Sequence, residues 1–114
     1  MKGEKMDHLT LKQAQEIVDE WINQFEEGYW PPLSMLARLM EEVGELAREI
    51  NAREKIKKKK DMEPQKDIGL EIADILFSLI CLANSYNINL EVKLKEVIEK
   101  YTSRDIERWT RKYN

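Results

Sequence analysis

A chain of 114 residues with a formal net charge of −3 is long enough for one domain with a modest core, and too near neutral to offer the basic surface that nucleic acid requires. The single Cys81 excludes a disulfide framework within one chain and fits a reducing, cytoplasmic setting. The longest apolar run, Ile75 to Ala83, has nine residues and includes Ser78, so no membrane span is expected from it.

Residues 1–10 lack the apolar core of a signal peptide and read as a flexible polar leader to a single helical domain, residues 11–112. The first helix is predicted from Leu11 to Glu27. Thr10 and Gln13 have capping-box spacing, and Leu11, Ala14, Val18, Trp21 and Phe25 recur at helical intervals. On that periodicity Trp21 and Phe25 are expected in the core. Gly28 ends the helix, and Trp30-Pro31-Pro32 enforces an extended turn. Trp30 can stack on a base or pack on its own bundle.

The second helix is predicted from Leu33 to Ala52, with Leu36, Leu39, Val43, Leu46 and Ile50 as its apolar face. Arg38, Glu41, Glu45 and Glu49 fall on the opposite side, and Glu42 lies at the border. Residues 53–66, with Lys57-Lys58-Lys59-Lys60 and Pro64, form a charged loop whose simplest role is a solvated face. The third helix is predicted from Asp67 to Tyr86. Asp67, Glu71, Asp74, Ser78, Cys81 and Ser85 share one narrow stripe, and the remainder is almost wholly apolar, as in a buried helix. Cys81 reads as a small packing residue. Asn87 and Asn89 supply a turn and a cap for a fourth helix, Leu90 to Thr102. A short helical tail rich in Arg and aromatics follows. The expected architecture is all-α, a compact four-helix bundle.

Glu42 and Glu45 are three residues apart, as are Glu71 and Asp74. At ~100° per residue, such pairs project from one side of a helix. Two helices packed face to face would therefore aim four carboxylates at one point. Burying them requires a cation or a proton. The one histidine, His8, lies in the leader, and no thiolate cluster exists, so an all-oxygen donor set favours Mg²⁺, with Mn²⁺ as a substitute. Mg²⁺ completes its shell with phosphate oxygens, which points to a phosphorylated ligand. On the second helix alone these acids also fit an ordinary charged face, with Glu42 paired to Arg38 one turn away.

The stretch Pro32-Leu33-Ser34-Met35-Leu36-Ala37-Arg38-Leu39, then Glu41-Glu42-Val43-Gly44-Glu45-Leu46-Ala47-Arg48-Glu49, and later Glu71-Ile72-Ala73-Asp74-Ile75-Leu76-Phe77, resembles the MazG-type nucleotide pyrophosphohydrolases. The family pattern is E-E-x-x-E, a spacer, then E-x-x-D. The C-terminal run from Lys100 to Lys112 is similar to the short, single-domain YpjD-type branch. The resemblance implies an all-α enzyme that hydrolyses nucleoside triphosphates to monophosphate and pyrophosphate with Mg²⁺, cleaning the nucleotide pool. By match of motif it implies Glu42, Glu45, Glu71 and Asp74 as metal ligands. Glu41 or Glu45 would serve in water activation, and Lys100 and Arg104 would approach the phosphates. It also implies a dimer or tetramer. Many relatives carry an Asn in the C-terminal motif that contacts the nucleotide, and here none lies between Asn89 and Asn114. The alternative is a non-catalytic regulatory module that binds metal or nucleotide.

Overall fold

The hydroxyl of Thr10 starts the first helix, α1 (Leu11–Asn23). Its Oγ1 accepts from Gln13 N at 3.1 Å, and Gln13 Oε1 accepts from Thr10 N at 2.9 Å, so the capping box forms as the spacing predicted. In the computed structural model, which describes residues 6–54 and 65–113, α1 ends four residues before the expected Glu27. A turn follows, closed by Gly28 at φ 60°, a left-handed conformation that a side chain would strain. The Lys57-Lys58-Lys59-Lys60 run, Pro64 and the first half of the leader lie outside the described residues.

Proline fits the first turn of a helix, where its missing N–H costs nothing, and α2 (Pro32–Arg53) begins on one. Its Leu, Ala, Met, Arg and Glu content favours helix throughout. The third helix, α3 (Ile68–Ser85), is capped by Asp67, whose Oδ1 accepts from Leu70 N at 3.2 Å. Asn87 then turns the chain at φ 56°, and Asn89 caps α4 (Leu90–Asp105). This last helix runs three residues past the expected Thr102. Residues 106–113 form turns and bends, so the helical part of the tail is the end of α4 and not a separate element.

α2 and α3 pack along each other most extensively; α1 lies against α3, and α4 makes its main contacts with α1. The buried apolar core is small: Val18, Met35, Ile80 and Cys81, flanked by Leu11, Ala14, Ile22, Tyr29, Leu82 and Leu90. Cys81 is the packing residue expected, and burial pushes its thiol pKa up.

A polar network beside this core ties three helices together. The buried Gln15 donates from Nε2 to Asn84 Oδ1 at 2.9 Å and to Ile88 O at 2.8 Å, and its Oε1 accepts from Leu90 N at 2.9 Å. Asn84 Nδ2 donates to Gln15 O and to the Tyr29 hydroxyl, each at 3.0 Å, and that hydroxyl donates to Asp19 Oδ1 at 2.7 Å. One glutamine thereby joins α1, the end of α3 and the start of α4.

The four helices give the all-α architecture expected, but a less compact one. The Cα radius of gyration is 18.0 Å, against about 13 Å for a compact domain of this length. α3 is not wholly buried: Leu70 is 67% exposed, and Ile72, Leu76, Phe77 and Leu79 are also open. The apolar residues Leu36, Val43 and Ile50 of α2, and Val92, Leu94, Val97 and Ile98 of α4, are exposed too. By length and a mean hydropathy of 1.6, α3 would also suffice for a bilayer span, so the nine-residue run understated its apolar extent.

Two outcomes follow from the network. Gln15→Ala strands the Leu90 N–H and one Asn84 amide oxygen, so urea unfolding should show a loss of about 2–3 kcal/mol. Burial, then the hydrogen bond to Asp19, raises the Tyr29 pKa above its ordinary value. The fold therefore favours the protonated hydroxyl. Its contribution is complete below about pH 10 and is lost as pH rises through the folded-state value. Melting temperature measured from pH 8.5 upward should fall in the wild type and fall less in Tyr29→Phe.

Candidate active site

The face α2 turns to α3 is mixed and not wholly apolar. Met35, Glu42 and Glu49 recur every seven residues and point inward, with Leu39 and Leu46 half-buried beside them. Glu49, on the side opposite the expected apolar face, is 1% exposed. The acidic stripe of α3 meets this face with Glu71 buried, Ser78 half-buried and Asp74 at the open edge. Acidic residues of both helices therefore lie in this contact, while part of each apolar face looks outward.

The contact surrounds a pocket of about 340 Å³ lined by Glu41, Glu42, Glu45, Glu71 and Asp74, together with Arg38 and Lys66. Every carboxylate singled out in the sequence thus reaches one place. Arg38 Nε lies 3.0 Å from Glu42 Oε1, the one-turn pair anticipated from spacing, and Ser78 Oγ donates to the same oxygen at 3.5 Å. Lys66 Nζ lies 3.7 Å from Glu45 Oε2 and 3.8 Å from Glu71 Oε1. Lys66 N donates to Glu49 Oε1 at 3.0 Å, and Lys66 O accepts from Arg53 Nη2. The segment entering α3 is therefore fastened to α2 at two points.

All-oxygen donors suit a hard divalent cation in kind. As the side chains stand, no three of them among the described residues meet at one ion position. Glu42 is turned toward Arg38, and Glu45 and Glu71 toward Lys66, while all five carboxylates line the pocket.

A larger, mostly apolar cavity of about 1010 Å³ adjoins it and shares Arg38, Glu42 and Asp74. Trp21 and Phe25 line this cavity and are each 48% exposed, so they are not the core residues their periodicity predicted. They meet edge to face at 5.3 Å between centroids, and Trp21 meets Phe77 at 6.1 Å. Trp30 also lines it, with the Arg38 guanidinium 5.7 Å from its ring centroid.

Lys100 and Arg104 do not line either cavity. Arg104 chelates Asp105 at 2.9 and 3.0 Å, which raises its pKa, and both cations lie over Tyr101. Sequence reasoning missed Lys66, Ser78, Glu49 and Phe77 as parts of the site. Ser78 was legible as a member of the acidic stripe. Lys66 carried only one signal, its place just before the Asp67 cap.

A family model for the MazG nucleotide pyrophosphohydrolase domain matches residues 31–109. YpjD of Bacillus subtilis (strain 168) is 52% identical over 107 residues, spanning 94% of this chain and 96% of YpjD. YvdC of the same organism is 31% identical over 96 residues, 75% of this chain and 91% of YvdC. The crystal structure of B. subtilis YpjD superposes with a TM-score of 0.74 at 51% identity, over 84% of this chain and 98% of that one. That of the Bacillus-conserved MazG protein, a nucleotide pyrophosphohydrolase, gives 0.72 at 45% identity, over 90% of this chain and 100% of that one.

The anchoring role of Glu49 can be read directly. In Glu49→Ala the Lys66 amide loses its acceptor, so its hydrogen exchange should accelerate, and urea unfolding should show a loss of about 1–3 kcal/mol. An unchanged exchange rate at Lys66 would show that the carboxylate does not hold this segment.

Proposed function

The chain belongs to the MazG nucleotide pyrophosphohydrolase family, and from that premise we propose that it hydrolyses (deoxy)nucleoside triphosphates to the monophosphate and pyrophosphate with Mg²⁺. Its role is the clearing of canonical or aberrant nucleotides from the pool. One observation carries the reading: a carboxylate pocket and an aromatic cavity adjoin and share Arg38, Glu42 and Asp74. Such a pair of neighbouring sites suits a ligand with an anionic end and a flat apolar end.

The walls made by Trp21, Trp30 and Phe77 offer aromatic faces and edges to a base. Glu42, Glu45, Glu71 and Asp74 would hold Mg²⁺, or Mn²⁺ in its place. The ion would neutralise phosphate charge and make water more acidic, which phosphoryl transfer chiefly needs. Arg38 stands where the two cavities meet, within reach of the polyphosphate. Water attacks the α-phosphorus; the bond to the bridging oxygen breaks, and pyrophosphate leaves. A carboxylate of Glu41 or Glu45 takes the proton. Glu41 is exposed in the pocket and makes no ligand contribution in this assignment, so it is free for that role.

A second copy of the chain completes the structure in this reading. The accessible surface is 9766 Å² for 13.6 kDa, roughly half as much again as a compact monomer of that mass exposes. The excess is rich in the apolar residues of α2, α3 and α4. A dimer or tetramer covers them, and it is the route by which Lys100 and Arg104, remote from the carboxylates within one chain, approach the phosphates.

A panel of canonical and modified triphosphates, assayed for pyrophosphate with Mg²⁺, tests the activity. Glu42→Gln and Asp74→Asn should each lower turnover on the order of a hundredfold or more while leaving the helical circular dichroism intact. Saturable nucleotide binding without hydrolysis would select the regulatory module instead. Trp21→Leu should raise KM more than it lowers kcat. Sedimentation equilibrium should give a dimer or tetramer at micromolar concentration, and a stable monomer would sink the completed-site reading.

A further inference from the structure

The carboxylate pocket already contains a cation that belongs to the protein. Lys66 Nζ bridges α2 and α3, 3.7 Å from Glu45 Oε2 and 3.8 Å from Glu71 Oε1. Those distances lie outside the range of close charge-assisted hydrogen bonds, about 2.7–2.9 Å. The ammonium therefore sits between two acids without being locked to either. Its side chain is half-exposed, whereas Glu71 is buried.

The root of the same residue is fixed. Its N–H is held by Glu49, its carbonyl by Arg53, and the next residue is the cap of α3. Lys66 is thus a charged arm with an anchored backbone and a loose tip. The tip can swing to solvent without disturbing the packing of α2 on α3. Arg38 plays a different part: its guanidinium approaches a single acid on its own helix and does not cross between helices.

We propose that Lys66 is a resident counter-cation of the pocket, holding the acids of α2 and α3 together before metal arrives and displaced to solvent when a divalent cation enters. The inference rests on the metal-binding reading of the site and adds a competitor to it. The ammonium and the incoming ion claim the same oxygens of Glu45 and Glu71. Lys66 therefore stabilises the metal-free protein and weakens its apparent affinity for Mg²⁺. The two effects are opposite faces of one competition, because whatever favours the metal-free state lowers the free energy released by the ion.

Calorimetric titration with Mg²⁺ alone, without nucleotide, tests this on the wild type, Lys66→Met and a charge control, Lys95→Met on the exposed face of α4. Thermal melts in EDTA and in Mg²⁺ accompany it. Lys66→Met should bind Mg²⁺ on the order of fivefold to tenfold tighter, the scale of one unit charge ~4 Å away in a solvent-rich setting. It should melt lower than wild type in EDTA and gain more from Mg²⁺. Folding that appears only on adding Mg²⁺ would be the same result in stronger form. Wild-type affinity matched by Lys66→Met within twofold overturns the counter-cation role and leaves the metal site standing. Equal tightening in Lys95→Met shows a diffuse charge effect and likewise overturns it. Absence of Mg²⁺ binding by the wild type overturns the metal site and this proposal together.

Discussion

Two helices with acidic stripes facing each other must be held together against their own repulsion, and the rest of the molecule is arranged around that demand. Like-charged carboxylates cost little on a solvated helix and far more when packed in a groove with Glu49 and Glu71 buried. Three kinds of group offset the cost. Arg38 and Lys66 bring positive charge, Ser78 and the Lys66 N–H bring hydrogen bonds, and Arg53 fastens the chain entering α3. None of these is an apolar contact. Met35, Ile80 and Cys81 supply the neighbouring apolar contact, which is small.

The same arrangement explains why the chain looks unfinished. With Glu42, Glu49 and Glu71 turned inward, much apolar surface of α2 and α3 turns outward, including Leu36, Val43, Ile50, Leu70, Ile72 and Leu76. A helical domain normally does the reverse. Under the proposed dimer or tetramer, another copy would cover that apolar surface. The network around Gln15 keeps α1 and α4 in place while those faces stay open. It relies on hydrogen bonds with complete partners, not on burial of apolar area.

Side-chain order in the groove links stability to function. The acids converge on a small pocket, with Glu42, Glu45 and Glu71 addressing the protein's own cations, and among the described residues no three of them meet at one ion position. Next to it, Trp21, Phe25 and Phe77 form an aromatic wall through edge-to-face contacts that hold rings half-exposed. Rigid helices thus set where charge and aromatic surface lie. Flexible side-chain ends are left to respond to what binds.

Local signals in the sequence determined a great deal. Helix positions followed from periodicity and from the caps Thr10, Asp67 and Asn89, because capping chemistry acts within three or four residues. The Glu42–Arg38 pair and the acid stripe of α3 were legible for the same reason: both depend only on helical spacing. Bringing Glu41, Glu42, Glu45, Glu71 and Asp74 to one pocket needed only that the two helices pack on those stripes. What tertiary structure alone decided is which face of α2 is inside. Periodicity marks an apolar stripe and an acidic one, but it carries no information on whether the chain or a second copy covers the apolar side. Periodicity puts Glu49 on the side opposite the apolar stripe and Trp21 and Phe25 in the core, whereas packing buries Glu49 and leaves both rings half-exposed. Lys66 was invisible because its role depends on Glu45, Glu71 and Glu49, residues 21, 5 and 17 positions away that meet only when α3 docks on α2.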